Sequence, residues 1–329
     1  MTGSLFTMIT TEIESLASCP LCHKSTGHVL ATQLRRGSGI VYCCADCQHG
    51  FLMSGAALDA KTYYAETYRQ EYSHNAQAAA TNARDIFDIY SHYQRDRLLA
   101  ISPYLVPSTR LLEVGASSGQ FLVNIMDRVA QVHAIELDKA CCAFMQSELG
   151  VSADSEYLRE SAFAGETYDV VCSFQVAEHV PNPVDFLCDL RQSTKAGGAI
   201  FVEVPNLNDP LLSVWDVNSY RKFFYHSAHL HYFTEGSLRK TAELAGFKPD
   251  QIAISFTQDY NLLNHLNWVM NDAPQATCNV GLSEIRLAGA NQAIASWLTE
   301  KLTKLNVEYM QKLVDAKATS NLMMVLKNV

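Results

Sequence analysis

From Arg110 onward, short apolar runs alternate with stretches of helical pattern. Continuous apolar runs are typical of strands buried on both faces, and intervening helices are typical of parallel strands joined by crossovers. The sequence therefore predicts a doubly wound α/β domain. We place strands near 110–114, 131–136, 168–174 and 198–204, and helices at 119–128, 139–149, 184–195 and 235–245.

The sequence after these elements predicts a strand at 251–257, a helical stretch over 260–316 and a last strand at Leu322–Leu326 that completes the sheet. Apolar residues recur in the helical stretch at the three-to-four-residue spacing of one helix face. We interpret this face as a packing surface, and a homodimer through the C-terminal helices is one use for it. Its residues are Ile294, Trp297, Leu298, Leu302, Leu305, Tyr309 and Leu313.

Composition and charge exclude several classes of protein. A chain of 329 residues that is 48% hydrophobic is globular. It has no run of 18 apolar residues and no basic start followed by an apolar run, so we expect a cytoplasmic protein without membrane insertion. The net charge of −9 argues against bulk attraction to nucleic acid, although a local basic face at Arg35 and Arg36 is an alternative.

Two Cys-x-x-Cys pairs in the N-terminal segment predict a zinc ribbon. Each tight turn aims two sulfurs inward, and one ion then closes the loop between the turns. Cys43 is an alternative to Cys44, and His23 or His49 is an alternative to one thiolate. A site with four protein ligands is structural, because no position is open for a substrate. The predicted ligands are Cys19, Cys22, Cys44 and Cys47.

A strand, a glycine turn and a helix start follow one another in window 111–122, Leu-Leu-Glu-Val-Gly-Ala-Ser-Ser-Gly-Gln-Phe-Leu. Gly115 and Gly119 permit positive φ and a close approach of ligand to backbone, and the helix start offers free amide donors. Glu113 would repel an anion and attract a cationic amino or sulfonium group. Glu136, at the end of the next strand, can accept bonds from both hydroxyls of a ribose. Together these residues predict a site for an adenosine ligand that lacks phosphates.

At this window the sequence resembles the class I S-adenosylmethionine-dependent methyltransferases. The resemblance continues through Tyr168–Phe174, Ala177–Val180, Lys195–Gly198 and Ala245–Phe247, and it covers roughly residues 105–258 and the final strand. It implies a Rossmann-like, seven-stranded mixed sheet, S-adenosylmethionine as the cofactor, and methyl transfer as the activity.

The resemblance also implies which residues contact the cofactor. Glu113, Gly115 and Gly119 would hold its methionine end, and Glu136 would hold the ribose. The turn carries Ser117 where a third glycine is frequent in the family, so its local geometry is left open. Asp154 and Ser155 would border the adenine, Phe174 and Gln175 would lie beneath the sulfonium, and Ala116 and Leu137 complete the set.

The cysteine pairs, the tyrosine-rich connector and His229–Thr234 are similar to a narrower group of methyltransferases with an N-terminal zinc-binding segment. Several members of that group act on sugars or glycan precursors. The similarity implies a small-molecule or carrier-linked acceptor, with a sugar hydroxyl or sugar carbon favoured. The connector carries Tyr63, Tyr64, Tyr68 and Tyr72, which either cover the sulfonium by cation–π attraction or only pack the connector.

A hydroxyl acceptor needs a group that removes its proton, and candidates follow the fourth and fifth strands of the predicted sheet. We take His179 as the general base, oriented or charge-balanced by Glu178, with His231 or His229 as the alternative. A purely structural role for this pair, such as capping a helix, is also open. Gln175, Glu178, His179 and His231 form a further candidate set for Mg²⁺ or Mn²⁺, weakened by Gln175, since some relatives have a glutamate there.

These inferences divide the chain into four parts: a zinc-ribbon-like segment at 1–57, a mostly helical connector or lid at 58–102, the methyltransferase domain at 103–258 and 319–329, and a helical insertion at 259–318. The leading hypothesis is methyl transfer to a small or carrier-linked acceptor. One alternative is an RNA- or protein-directed methyltransferase that docks its substrate through the ribbon. Another is a binding or scaffold protein that keeps the fold without turnover.

Overall fold

The computed structural model describes residues 18–35, 38–53, 63, 82–275 and 278–329. Much of the predicted connector, including Tyr64, Tyr68 and Tyr72, lies outside the described residues, as does Arg36. The described strands, in chain order, are β1 (Gly27–Ala31), β2 (Ile40–Cys44), β3 (Gly50–Met53), β4 (Arg110–Val114), β5 (Gln131–Ile135), β6 (Ser152–Asp154), β7 (Tyr168–Phe174), β8 (Thr194–Pro205), β9 (His231–Tyr232), β10 (Ile252–Thr257) and β11 (Asn321–Lys327).

Seven of these strands form one mixed sheet in the order β10-β11-β8-β7-β4-β5-β6. The five strands from β8 to β6 in that order are parallel, and β11 runs antiparallel to both β8 and β10. The prediction of a Rossmann-like, seven-stranded mixed sheet is therefore confirmed. Sequence patterning missed β6, because a strand of three residues leaves too short an apolar run to detect.

Apolar residues cover both faces of this sheet. Leu111 and Leu112 are adjacent in β4 and fully buried, and they belong to separate hydrophobic clusters on opposite faces. Successive strand side chains point to opposite faces, so a continuous apolar run requires burial on both. This two-sided burial is the reason that the four inner parallel strands were predictable from their apolar runs.

The N-terminal segment forms a second sheet, with the order β1-β2-β3-β9 and antiparallel pairing throughout. Its fourth strand, β9, comes from residues His231–Tyr232, far along the chain. The sheet therefore joins the cysteine-bearing segment to the region that follows β8.

Two predicted helices differ from the observed structure. Residues 119–128 form two short 3-10 turns, Leu122–Asn124 and Met126–Arg128, because Ile125 between them has φ −130° and ψ −18° and interrupts the α-helical hydrogen-bond pattern. The helix predicted at 139–149 is α-helical only over Lys139–Phe144 and continues as a π-helix over Met145–Leu149. Other helices in the described residues are Ala83–Tyr90, Arg95–Ile101, Pro183–Gln192, Pro210–Ser213, Asn218–Phe224 and Glu235–Leu244.

The stretch predicted to be helical over 260–316 consists of three helices, Leu262–Asn271, Cys278–Leu282 and Gln292–Asp315. Residues 283–291 are not helical, so the prediction was wrong there. The apolar face of the last helix is only partly covered: Leu313 is buried, whereas Trp297 is 58% exposed. Among the described residues, no helix combines the length and the apolarity needed to cross a bilayer.

Candidate functional site

The carboxyl ends of the five parallel strands meet at one edge of the large sheet. This is the edge at which open α/β sheets bind ligands, because the connecting loops leave a crevice there. Glu136 directly follows β5, Asp154 ends β6 and Gln175 directly follows β7. The structure therefore brings the predicted cofactor-binding residues to a common edge.

The turn after β4 depends on its glycines. Gly115 has φ +82° and Gly119 has φ +77°, which side-chain-bearing residues rarely adopt. A Cβ on Gly115 would lie 2.2 Å from Cγ2 of Val176. Ser117 adopts φ +48°, so the serine in the place of a third glycine takes a left-handed conformation as well.

Glu136 holds this turn from the neighbouring strand. Its Oε2 accepts a hydrogen bond of 2.6 Å from the backbone N–H of Ser117, and its Oε1 accepts one of 2.8 Å from the N–H of Asp138. Each carboxylate oxygen can accept a second bond, so this geometry also suits a diol that approaches from the open side. The side chain therefore couples the turn after β4 to the end of β5.

Glu113 and Arg97 form the charged part of the site's floor. Glu113 is 3% exposed, and burial raises the pKa of its carboxyl to about 8, although the guanidinium of Arg97 opposes this rise. Its Oε2 has no hydrogen-bond partner within the described chain. A buried carboxyl of this kind gains from an added cation, since Arg97 offsets its desolvation only in part.

Sequence reasoning missed Arg97, which lies on the helix Arg95–Ile101 before β4. Its side chain is 17% exposed, forms an ion pair with Glu203 of β8, and places its guanidinium 4.7 Å from the ring centre of Phe174. The amide of Gln175 reaches the same Glu203, with Nε2 3.2 Å from Oε1. Arg97 is recognisable as a candidate site residue only from its position in the fold. Its local sequence gives no signal, because helices commonly carry exposed arginines.

The remaining cofactor candidates also lie along this edge. Asp154 accepts a 2.6 Å bond from the N–H of Ala162. The backbone carbonyl of the same residue accepts a 3.0 Å bond from the N–H of Glu136. Phe174 packs edge-to-face on Phe121 with ring centres 5.0 Å apart. Ala116 is buried, whereas Leu137 and Ser155 are partly exposed.

Beyond β7, Glu178 lies between two histidines. Its side chain is 1% exposed, and neither of its carboxylate oxygens has a hydrogen-bond partner among the described residues. Its Oε1 is 3.7 Å from Nε2 of His179 and 3.9 Å from Nε2 of His229. The predicted pair Glu178–His179 is therefore joined by His229, which was named as one of the alternative bases.

Burial keeps this cluster uncharged at neutral pH. It lowers the pKa of His179 to about 4 and that of His229 well below its ordinary value, while it raises the pKa of Glu178 to about 8. Nδ1 of His179 is 2.8 Å from the carbonyl oxygen of Ala228. Since a carbonyl only accepts, Nδ1 carries the proton, and the lone pair of the neutral ring is on Nε2, which faces Glu178.

Two predicted partners of this cluster have other contacts. Nδ1 of His231 is 2.9 Å from Nε2 of His49, and its ring belongs to the interface with the N-terminal sheet. The amide of Gln175 is directed to Glu203 and Asn321, at 3.2 Å from each. Among the described His, Cys, Asp and Glu residues, those whose potential ligand atoms converge with Glu178 are His179 and His229. A metal site that includes Gln175 and His231 stays a prediction.

The four predicted cysteine ligands converge. Their sulfurs lie within 4.8 Å of one another, with 3.5 Å between Cys19 and Cys47 and 3.4 Å between Cys22 and Cys44. Adjacent residues of β2 face opposite sides, so Cys44 joins the cluster and Cys43 does not. The alternatives with Cys43, His23 or His49 as a ligand are not among the converging groups found in the described residues.

Comparison with known proteins finds similarity to methyltransferases. A stretch of 105 residues is 33% identical to ubiquinone biosynthesis O-methyltransferase of Burkholderia multivorans, and it covers 30% of this chain and 45% of that enzyme. The chain thus spans less than half of the length of that relative. A SAM-dependent methyltransferase of Archaeoglobus fulgidus is similar at 17% identity, covering 74% of this chain and 97% of its own, with a TM-score of 0.45.

Phosphoethanolamine N-methyltransferase 2 of Haemonchus contortus is similar at 12% identity, covering 98% of this chain and 74% of its own, with a TM-score of 0.47. The model of a family described as a methyltransferase domain matches residues 84–252, which is just over half of the chain. The matched range contains the glycine turn, Glu136 and the Glu178–His179 pair. This chain therefore belongs to the methyltransferase domain family.

Proposed function

We propose that this protein transfers a methyl group from S-adenosylmethionine to a small-molecule or carrier-linked acceptor, with a sugar hydroxyl or sugar carbon favoured. One observation carries the proposal: the glycine turn, two acidic residues and a buried Glu–His–His cluster share one edge of a methyltransferase-type sheet. That arrangement supplies a place for the cofactor and, beside it, groups that can receive a proton.

At the cofactor end, Glu113 binds the methionine ammonium and Glu136 binds the ribose hydroxyls. Arg97 provides the positive charge that the methionine carboxylate needs, which Glu113 alone would repel. Gly115, Ala116 and Gly119 leave the backbone open to the ligand. Asp154, Ser155 and Leu137 border the adenosine, and Phe174 and Gln175 lie at the sulfonium.

At the acceptor end, His179 takes the proton from the hydroxyl through Nε2. Burial holds the pKa of His179 near 4, so the free ring is neutral, and an ionised Glu178 beside it is what makes Nε2 basic enough to accept the proton. Glu178 stabilises the imidazolium only in its ionised form, and His229 is the alternative base. The cofactor supplies an activated methyl group, whose bond to sulfur breaks as the acceptor oxygen bonds to carbon.

The acceptor wall includes parts of the helical insertion. Trp268 of the helix Leu262–Asn271 packs with its ring centre 5.1 Å from that of Tyr220 and 5.5 Å from that of Phe223. Tyr220 and Phe223 lie on the helix Asn218–Phe224, which comes directly before the histidine-bearing region. This packing supports a role for the insertion in shaping the space next to His229.

We also propose that the cysteine cluster binds a structural zinc ion. A tetrahedral site with Zn–S bonds of about 2.3 Å has sulfur–sulfur edges of about 3.8 Å. The two shortest separations here, 3.4 and 3.5 Å, and the 4.8 Å limit on the rest agree with that size. All four ligands are then protein thiolates, so this ion takes no part in the chemistry.

A second divalent ion, Mg²⁺ or Mn²⁺, is a separate possibility at Glu178, His179 and His229. Two imidazoles and one carboxylate suit Mn²⁺ better than Mg²⁺, which prefers oxygen ligands. We favour the general base, since a neutral histidine suffices for proton removal. Equilibration with Mn²⁺ decides between the two, because only the metal hypothesis predicts tight binding that the variant Glu178→Gln loses.

Two alternatives remain: an RNA- or protein-directed methyltransferase that docks through the ribbon, and a scaffold without turnover. Calorimetric titration with S-adenosylmethionine and S-adenosylhomocysteine is the first test, with metal analysis of the same sample. We expect micromolar binding, at least about tenfold weaker for Glu136→Ala and unchanged for the exposed control Glu160→Ala. A folded, zinc-loaded protein that binds neither compound would overturn the proposal in favour of the scaffold.

The acceptor class is tested by methyl transfer from labelled cofactor to a panel of nucleotide-linked sugars, with total RNA and a protein lysate as competing substrates. Transfer to a sugar, lost in His179→Gln, supports the proposal. Transfer to RNA or protein alone would favour the first alternative.

A further inference from the structure

The residues 225–234, which we call the histidine segment, lie between the zinc ribbon and the large sheet. The segment contains His226, His229 and His231. Along the chain, the segment comes directly after the helix Asn218–Phe224, which itself follows β8 of the large sheet. It also supplies the fourth strand of the ribbon sheet.

The backbone of this segment is bonded in both directions. Strand β9 pairs with β3 of the ribbon, with His231 opposite Phe51, and the N–H of Leu52 donates to the carbonyl of Leu230 at 2.9 Å. On the opposite side, the N–H groups of Leu230 and His231 donate to the carbonyl oxygen of Glu178 at 2.8 and 3.0 Å. The same dipeptide therefore ties the ribbon to the residue at the centre of the acceptor site.

A side-chain bond strengthens this junction. Nε2 of His49 is 2.9 Å from Nδ1 of His231, and the His49 ring lies 5.1 Å from that of Phe233. His49 has no exposed surface and follows Cys47 by two residues. The geometry of the cysteine cluster thus fixes the position of a buried histidine that contacts the histidine segment.

The ribbon and the histidine segment are closely packed. A Cβ on Gly50 of β3 would lie 2.8 Å from Cβ of Tyr232. At the start of the segment, the N–H of Arg35 donates to the carbonyl of Tyr225 at 2.7 Å. The ribbon therefore contacts both ends of the histidine segment, and its β3 edge is occupied by β9 instead of being available to an external strand.

We propose that the zinc ribbon is a wall of the acceptor site and that His49 is the positioning residue through which it holds the histidine segment. The proposal rests on the proposed function for the role of His179 and His229. The ribbon does not touch Glu113 or Glu136 in any described contact, so it acts on the acceptor side alone. Zinc loss then disorganises the acceptor side and leaves cofactor affinity intact.

The test uses the full chain with its zinc, the variant His49→Phe, the conservative variant His49→Gln, and His28→Gln as a control on the exposed face of β1. Three probes are measured: binding of S-adenosylmethionine, ¹⁵N chemical shifts of the histidine rings, and carbethoxylation rates of individual histidines by peptide mapping. The ring shifts report the hydrogen bonding of His231 directly, which a general loss of stability does not reproduce.

For His49→Phe we expect cofactor affinity within about twofold of the native value and carbethoxylation of His229 and His231 about tenfold faster, because local opening exposes them. His49→Gln should restore most of the protection, and His28→Gln should resemble the native protein. Zinc removal by a chelator should reproduce the His49→Phe pattern.

Unchanged ring shifts and protection in His49→Phe would overturn the proposal, since the ribbon and the histidine segment would then be independent. Loss of cofactor binding in step with loss of protection would also overturn it, because the ribbon would then support the whole domain. Failure of the proposed function has a different signature: the native protein itself does not bind S-adenosylmethionine. If zinc-free protein does not fold, the two His49 variants still decide the question.

Discussion

Glu113 illustrates how a single buried group can link cofactor binding to pH. Its carboxyl has a pKa of about 8, mainly because it is removed from water. At pH 7 it is mostly protonated in the free protein. A bound ammonium group favours the carboxylate and lowers that pKa, so the proton has to leave as the cofactor enters.

We expect S-adenosylmethionine binding at pH 7 to release close to one proton, measured by calorimetry in buffers of different ionisation enthalpy. Affinity should rise with pH up to about 8, by as much as about tenfold per unit, because less of the free protein then has a proton to lose. Glu113→Gln should bind weakly and release none. Native affinity that is independent of pH from 6 to 8 would contradict the assignment.

Gly115 tests the close packing of the cofactor turn. Gly115→Ala introduces both strain at φ +82° and a 2.2 Å contact with Val176. Gly165 has the same φ of +82° with open space around it, so Gly165→Ala introduces the strain alone. We expect Gly165→Ala to cost about 1 kcal/mol of unfolding free energy and Gly115→Ala about 2–4 kcal/mol, with cofactor binding lost only in the latter. Equal costs by urea denaturation would show that Val176 moves aside.

At the scale of elements, the β2 strand separates a proposed metal ligand, Cys44, from its neighbour Cys43. Cys43 and Cys44 are both buried, yet alternation along the strand puts only Cys44 in the sulfur cluster. We expect Cys44→Ser to lose about one zinc per chain and to lower the thermal unfolding midpoint, since the metal crosslinks the ribbon. Cys43→Ser should keep its zinc. Zinc loss in Cys43→Ser alone would reverse the ligand assignment.

The helix Gln292–Asp315 has an apolar face that, among the described residues, is buried near its C-terminal end and exposed near its start. Leu313 is 3% exposed, but Ile294 and Trp297 are 60% and 58% exposed. Large apolar side chains grouped on one helix face are typical of an association surface. The homodimer expected from the sequence stays a prediction, and these residues are where it is tested.

For the whole molecule, we expect sedimentation velocity to show a dimer at micromolar concentrations and a monomer for Trp297→Lys. Val307→Lys is the matched control, since Val307 is 63% exposed and lies on another side of the same helix. Monomeric native protein, or equal dissociation in both variants, would contradict the assignment of the dimer to this face.

Prediction from the sequence succeeded where a local pattern has one physical cause. The apolar runs of β4, β5, β7 and β8 identified the inner parallel strands, because burial on both faces leaves few polar positions. It failed at 119–128, where apolar spacing suits a helix but the backbone at Ile125 takes another conformation. The spacing of apolar residues indicates which side chains can be buried together. The backbone conformation that buries them depends on tertiary packing, which local spacing does not show.

In the candidate site, too, some residues could be proposed from the sequence and others could not. Glu113, Gly115 and Glu136 were predictable because a strand, a glycine turn and an acid at the next strand end follow each other closely along the chain. Arg97 was not, since nothing in its own helix distinguishes it from an exposed arginine. Its role comes from Glu203, more than a hundred residues later, which burial and ion pairing bring next to it.

The sequence by itself determined the class of fold, the cysteine cluster and the acidic residues beside the glycine turn that are proposed to bind the cofactor, because each depends on residues that are close together in the chain or fixed in spacing. Only the tertiary structure decided which histidine joins Glu178 and which one joins the ribbon. His229 and His231 are two residues apart and chemically identical, yet one faces Glu178 and the other faces His49. Strand alternation would put residues two apart on the same face, so the difference comes from the backbone. His229 closes a turn with its N–H bonded to the carbonyl of His226, whereas His231 is held in β9 by the pairing with β3, which exists only after those two segments have met.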